Sequence, residues 1–372
     1  MRSVLKKAVF QAVLAAGLTS AAFGAHADGY AKNYVGDMQE RKAVYEDTLV
    51  HLAREYNLGF VEIRAANQGL DPWIPGTGAK VVIPTRHLLP DVPREGVVIN
   101  LPEMRLYAFV NGDKAPDTYP IGIGREGLST PMGETTVVRK VVGPVWRPTP
   151  RMREEHPELP EAVYPGPDNP MGTNALYLGW PQYAIHGTNK PYGIGRRVSS
   201  GCIRMYPEAI LKLYPKIPVG TPVNVINQPI IAAWIDDSLY LEAHPTVDQS
   251  MDLENTGDFK AEDLTKDEIA YIRRVAGDRV EDLNWPRIRR AVRERNGYPV
   301  RVAKRGVKVT DESEEASAVD VKAPVPPANR KVKGKAPAAQ VEAKAKDAET
   351  SLSQNEVDAE KGAAQTSYKI NQ

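Results

Sequence analysis

The chain reads as mainly β, a sandwich or open barrel of short strands with a small α/β unit before it and a short helical region after it. Three observations point that way. Residues 95–226 break brief apolar runs with glycine and proline. The 31 prolines and 29 glycines, against only 5 phenylalanines, suit strands and turns better than a helical bundle. Helical periodicity falls mostly on either side of that stretch.

The N-terminus comes first. Met1 to Lys7 is basic, Ala8 to Gly24 is apolar and alanine-rich, and Ala25-His26-Ala27 precedes Asp28, the pattern of a signal peptide over residues 1–27. The apolar run is short for a bilayer span, and no later run is long enough, so a soluble periplasmic or external protein is expected, with no membrane span after cleavage. Residues 40–86 form the α/β unit. Leu49, Leu52, Ala53 and Tyr56 recur at helical spacing behind an N-cap at Asp47 or Thr48. Phe60, Ile63 and Ala66 mark a second helix, and Val81-Val82-Ile83 a closing strand.

In the β domain, strands are expected at Val97–Leu101, Arg105–Phe109, Tyr119–Ile123, Thr135–Val138, Tyr177–Leu178, Ala184–His186 and Val223–Ile226, with one helix near Glu208–Leu213. Residues 227–300 add a strand at Ser238–Glu242 and two helices. One opens with the capping box Thr265-x-x-Glu268, and the other follows Asn284-Trp285-Pro286 and stops at Gly297. Residues 304–372 are dominated by Lys, Ala, Glu, Pro, Ser and Gln and read as a disordered tail, unable to bury enough apolar surface to offset its ordering entropy.

Chemistry concentrates at one residue. Cys202 is the only cysteine, in a chain expected to be exported, so it has no disulfide partner and is either a small buried hydrophobe or a nucleophile. A nucleophilic thiol needs a base, and an adjacent imidazolium lowers its pKa. Of the six histidines, His26 leaves with the signal peptide and His51 lies in the first helix. His87 and His156 sit in proline-rich, polar surroundings that read as loops, and His244 follows a strand at an expected surface position. His186 differs: it ends a strand sixteen residues before Cys202, and the glycine-rich Pro191–Arg197 loop between them can reverse the chain and admit substrate closely. A satisfied core histidine beside a structural thiol is the other reading of these residues. A net charge of +1, from 48 basic and 47 acidic residues, argues against a nucleic-acid partner.

His186-Gly187-Thr188, then Ser199-Ser200-Gly201-Cys202-Ile203-Arg204-Met205, resembles the signature of the L,D-transpeptidase family with its YkuD-like catalytic domain. Thr130-Pro131-x-Gly133 and Pro144-x-Trp146-x-Pro148 support the resemblance over 95–226, and Leu239–Pro245 looks like the C-terminal extension of the Gram-negative periplasmic branch. The segments Asp47-Thr48-Leu49, Ala53-x-x-Tyr56, Ala66-Asn67, Trp73-x-Pro75-Gly76 and Ile83-Pro84 resemble a LysM module, whose relatives bind glycans containing N-acetylglucosamine. The signature commonly carries histidine where Ser200 stands and asparagine where Arg204 stands, so His186 is left as the base.

The resemblance implies a thioester-forming transferase of peptidoglycan that uses no metal or organic cofactor. Cys202, as thiolate, attacks a tetrapeptide stem between diaminopimelate and the terminal D-alanine, His186, as imidazolium, donates a proton to the leaving D-alanine and later deprotonates the acceptor amine, and the Gly187 carbonyl orients the imidazole. Backbone N–H groups around Gly201 and Cys202 are the expected oxyanion donors. The acceptor is another stem's diaminopimelate, giving a 3→3 cross-link, or a lysine of an envelope protein. Arg204 suits a stem carboxylate or a structural ion pair, Ser199, Ser200 and Thr188 suit substrate or loop contacts, and Trp146, Trp180, Tyr183 and Tyr192 suit the cleft or the core. Hydrolysis by the same Cys/His pair, or an inactive peptidoglycan-binding scaffold, are the alternatives.

Overall fold

The computed structural model of the protein describes residues 30–306 other than residue 113. The signal peptide expected over 1–27 lies outside these residues, as does all but the start of the tail expected from 304.

The chain enters through β1 (Tyr34–Val35) and β2 (Gln39–Lys42), forms α1 (Leu49–Glu55) and α2 (Phe60–Ala65), and returns through β3 (Lys80–Ile83) and β4 (His87–Leu88). β2 and β3 pair antiparallel, and Leu49, Leu52, Leu58, Ile63, Val81 and Ile83 close a small core between sheet and helices. Thr48 is the cap of α1, its hydroxyl accepting from His51 N–H at 3.1 Å. Asp47, the other candidate cap, is taken by an ion pair with Arg41.

Nine strands then build one mixed sheet: β5 (Gly96–Asn100), β6 (Arg105–Phe109), β7 (Asp117–Gly124), β8 (Gly133–Val142), β9 (Asn174–Leu178), β10 (Ala184–His186), β11 (Arg197–Ser199), β12 (Ile203–Met205) and β13 (Pro222–Ile226). Their order is β11-β7-β12-β10-β9-β8-β13-β5-β6, and β7 also pairs with β6, so the sheet closes on itself. The sandwich or open barrel expected from sequence is thus a closed ring. Pro120 marks the changeover: β7 pairs with β6 up to Pro120 and with β12 from Ile121. A proline, with no N–H to offer, suits the point where a strand leaves one neighbour for another. Ile99, Leu106, Ile121, Leu176, Ile185, Ile203 and Val225 fill the interior. Helices α3 (Pro150–Glu155) and α4 (Pro207–Leu213) lie in the connections.

The C-terminal part pairs β14 (Ile230–Ile235), β15 (Ser238–Ala243) and β16 (Val300–Lys304) antiparallel. Helices α6 (Lys266–Ala276) and α7 (Trp285–Glu294) share its core, while α5 (Val247–Thr256) reaches α2 through Arg64 Nε, which donates to Leu253 O at 2.7 Å. β14, β16 and α5 go beyond the one strand and two helices legible in the sequence. In α5 only Gln249, Ser250 and Leu253 are buried, so no apolar stripe announces it.

These parts are tied together where the sequence suggested open surface. The N–H groups of Phe60 and Val61 donate to the carbonyls of Ile194 and Gly195 at 3.2 and 3.1 Å. A Cβ on Gly195 would lie 2.2 Å from Phe60 N, so this glycine admits the close approach of α2. Arg196 lies 3.8 Å over the Phe60 ring and pairs with Glu254 of α5. His87 and His244, expected in a loop and at the surface, are 2% and 3% exposed. Strand β4 pairs with β1, and its Leu88 packs on Ile231 and Ala233 of β14, which encloses both histidines between distant parts of the chain.

Candidate active site

Cys202 stands between two short strands. Ser199 ends β11, Gly201 adopts φ 103°, and β12 starts at Ile203. A Cβ on Gly201 would come within 2.7 Å of Tyr183 Cε1, so the turn needs glycine for both space and backbone. Ser199 Oγ donates to the Cys202 carbonyl at 2.6 Å and accepts from Gly201 N–H at 3.1 Å. Thr130 Oγ1 holds the Gly201 carbonyl at 2.9 Å and accepts from Gly124 N–H at 3.0 Å.

Strands β10 and β12 run parallel, with Ile185 opposite Ile203 and His186 opposite Arg204. Both isoleucines point into the ring and are fully buried. Strand alternation therefore turns His186, Arg204 and, one step before β12, Cys202 to the other face. Cys202 and His186 thus take diagonal positions on adjacent strands, with both side chains on the same face.

His186 is 5% exposed. Its Nδ1 lies 2.6 Å from the Gly187 carbonyl, which assigns the proton to Nδ1 and leaves Nε2 as an acceptor. Burial first, and the Arg204 charge second, push its pKa down to about 4, against hydrogen bonds to the Gly187 and Met171 backbone. The partly exposed Cys202 thiol donates to the Gln182 carbonyl at 3.4 Å. Burial pushes this thiol up, while a hydrogen bond from the Ala184 backbone and the Arg204 charge pull it down. Both shifts favour the neutral thiol and the neutral imidazole. The thiolate beside imidazolium expected from sequence is disfavoured because burial penalises both charges.

The other expected residues divide. Gly187 and Arg204 adjoin the pair, and Ser200 is partly exposed in the same loop. Gly201 N–H, expected to face an oxyanion, is engaged by Ser199. Ser199, 1% exposed, braces the loop. Thr188 is 3% exposed, and its hydroxyl accepts from Lys190 N–H at 3.0 Å, closing a local turn. Trp146 packs with Met171, Ala175, Ala184 and Tyr177, on the face that carries His186. Trp180 meets Tyr183 edge-on at 6.3 Å and lines a cavity of about 460 Å³ with residues of β8 and β13. Tyr192 contacts His51 of α1 at 6.0 Å. Sequence reasoning missed Gln182, Met171 and the bracing hydroxyl of Thr130. Gln182 and Met171 act through carbonyls, which no side-chain pattern reveals.

Comparison with known proteins finds relatives of the chain. The family model for the L,D-transpeptidase catalytic domain matches residues 94–225. The "Probable L,D-transpeptidase YbiS" of Escherichia coli K12 is 41% identical over 261 residues, covering 68% of this chain and 83% of that protein. The "Probable L,D-transpeptidase ErfK/SrfK" of Salmonella typhimurium is 38% identical over 263 residues, covering 68% and 82%. A solved L,D-transpeptidase from Mycobacterium smegmatis is 20% identical, covering 41% of this chain and 64% of its own, with a TM-score of 0.29. Identity of this order across most of the length of the enterobacterial relatives places the chain: it belongs to the L,D-transpeptidase family.

Proposed function

We propose that Cys202 and His186 carry out acyl transfer between peptidoglycan stem peptides. The observation that carries this reading is the Nδ1 contact with the Gly187 carbonyl, because it leaves Nε2 as a base on the face that Cys202 shares. As Sγ attacks the carbonyl between diaminopimelate and D-alanine, its proton passes to Nε2, and the tetrahedral oxyanion forms. With Gly201 N–H engaged by Ser199, the Cys202 N–H is the oxyanion donor of this loop. The imidazolium then protonates the departing D-alanine amine, and the thioester remains. An acceptor amine loses its proton to His186 and takes the acyl group, giving a cross-link or a protein tethered to the wall. Starting from the neutral pair, charge exists only while the reaction proceeds.

Arg204 is proposed to take a stem carboxylate. Its charge already bears on both His186 and Cys202, so a bound anion would relieve the penalty on the imidazolium. Ser200 is proposed as a polar contact to the stem. Residues 40–86 are proposed as a LysM-like module that holds glycan strands, and the protein as a periplasmic enzyme. Among the described residues no helix is long and apolar enough to cross a membrane.

Mass spectrometry of isolated sacculi treated with the enzyme tests the reading. Dimers that gain one stem, or a stem joined to protein lysine, are expected with release of D-alanine. Release of D-alanine with no joined product would overturn transfer in favour of hydrolysis.

A further inference from the structure

Four side chains from three parts of the chain gather in one buried cluster that contains neither Cys202 nor His186. His87 opens β4, Glu103 lies between β5 and β6, Glu242 is near the end of β15, and His244 follows it. None is more than 4% exposed. Glu242 Oε1 lies 2.9 Å from His244 Nε2 and 3.8 Å from His87 Nδ1, and Glu103 Oε1 lies 3.7 Å from His244 Nε2. Ligand atoms of His87, Glu103 and Glu242 fall within 4.8 Å of one another.

Three of these atoms, His87 Nδ1, Glu242 Oε1 and His244 Nε2, have no hydrogen-bond partner among the described residues; the 2.9 Å contact lies off the line of a hydrogen bond. Leaving a buried polar atom unpaired costs about 1–3 kcal/mol. Three such atoms in one buried cluster call for an occupant that bonds to them.

Both oxygens of Glu103 and the second oxygen of Glu242 already accept hydrogen bonds, which leaves Glu103 Oε1 its other lone pair. Asn100 and Tyr107 donate to Glu103 Oε2 and Oε1, each at 2.6 Å, and Leu88 N–H donates to Glu242 Oε2 at 2.6 Å. Glu62 stands behind His87, 3.5 Å from Nε2, and is itself bound by Arg105, whose Nη2 donates to both its oxygens at 2.8 and 2.7 Å. A carboxylate behind a histidine, fixing which nitrogen faces inward, is the outer arrangement that orients metal ligands.

We infer that His87, Glu103, Glu242 and His244 bind one divalent transition-metal ion of the zinc class. Four nitrogen and oxygen ligands about 2.0–2.2 Å from a tetrahedral ion stand roughly 3.4 Å apart. Separations of 2.9, 3.7 and 3.8 Å are close to that value, while His244 stands outside the set whose ligand atoms all lie within 4.8 Å of one another, so its ring must shift to complete the shell. Glu62 is paired with Arg105, so a dication offsets Glu103 and Glu242 with both imidazoles neutral; buried Arg295, bonded to the His244 carbonyl, is the further cation beside the cluster. Two imidazoles exclude the all-oxygen preference of calcium and magnesium. The ion would lock β4, the catalytic sheet and β15 together, with a structural role away from the reaction.

The test uses the full chain, stripped with a chelator, dialysed against zinc sulfate and then against buffer, with metal counted by elemental analysis. About one equivalent is expected to remain, the unfolding midpoint to rise with zinc and not with magnesium, and Cys202→Ala to keep the ion. Glu242→Gln with His244→Gln should reduce retention at least about tenfold. If that variant does not fold, cobalt(II) in the wild-type chain decides: four-coordinate d–d bands without a sulfur-to-cobalt charge-transfer band are expected. Less than about a tenth of an equivalent retained, an octahedral cobalt spectrum, or loss of the ion in Cys202→Ala would overturn the site.

Discussion

The reactive face and the buried junction both enclose histidines, yet they treat charge in opposite ways. At the reactive face, His186 and Cys202 touch backbone: the Gly187 carbonyl, the Gln182 carbonyl and the Ala184 peptide. No carboxylate contributes to the pKa of either group, and the thiol keeps an opening to solvent. At the junction, His87 and His244 are surrounded by Glu62, Glu103, Glu242 and Arg105 and are sealed from water. Burial pushes Glu103 up to about 7 there and holds His87 well below its ordinary range. Burial alone therefore does not mark a catalytic histidine. What separates the two is whether the partners are neutral dipoles, which let charge appear during a reaction, or buried ionisable side chains, whose charged forms burial penalises and only one another can offset.

If that contrast holds, removing a group at the face costs chemistry, and removing one at the junction costs stability. Cys202→Ala makes the sharpest case. Transfer on muropeptides, and acylation by carbapenems, an inhibitor sensitivity that the family resemblance implies, should fall by about 10⁴-fold or more, while the unfolding free energy changes by about 1 kcal/mol or less. Continued D-alanine release by that variant, read by mass spectrometry, would remove Cys202 as nucleophile. Arg105→Met should do the reverse. It leaves Glu62 buried without its partner, a loss of about 3–5 kcal/mol by denaturant titration, with carbapenem acylation per folded molecule unchanged. A parallel fall in acylation would mean that the junction and the face are one cooperative unit. Deleting residues 40–86 cannot separate them, because α2 is bonded to the Ile194-Gly195 loop and Glu62 to Arg105.

The pH dependence follows from His186. An imidazole with a pKa about 4 is neutral at every pH above that value, so the base is present across the usual range. It is lost only as pH falls through about 4, where protonation removes the acceptor for the thiol proton. The second-order rate of carbapenem acylation should thus stay flat between pH 7 and 5. A histidine with an ordinary pKa of about 6.5 would cost roughly thirtyfold by pH 5. Thiolate absorbance, taken as the difference between wild type and Cys202→Ala, should be absent at pH 7, and its presence would restore the ion pair expected from sequence.

The sequence carried the reactive face well and the junction poorly, and the reason is separation along the chain. His186, its following glycine and Cys202 lie within sixteen residues, and strand alternation is enough to put both side chains on one face. His87 and Glu242 lie more than a hundred residues apart, in segments where Pro84, Pro90 and Pro245 suggest loops. Nothing local reports that Leu88 N–H meets Glu242, or that β7 switches neighbours at Pro120. The glycine-rich loop is a subtler case. Its glycines rightly signalled a close approach, but only the packing of α2 shows what approaches.

Ser199 is where the two kinds of cost meet, and its replacement should give the smallest and most informative effect. Its hydroxyl is buried, bonds to the Cys202 carbonyl and takes Gly201 N–H, yet reaches no reacting atom in the proposed mechanism. Ser199→Ala removes two hydrogen bonds worth about 0.5–1.5 kcal/mol each, so stability should drop by about 1–3 kcal/mol. If the same bonds aim the nucleophile, acylation should slow by about tenfold, equal to about 1.4 kcal/mol of barrier, and Ser199→Thr should recover most of it. The freed Gly201 N–H could also turn toward the oxyanion, and acylation would then hold or rise while stability falls. A stability loss with an unchanged rate would assign the aim of Cys202 to Thr130 instead, whose hydroxyl grips the Gly201 carbonyl from the other side.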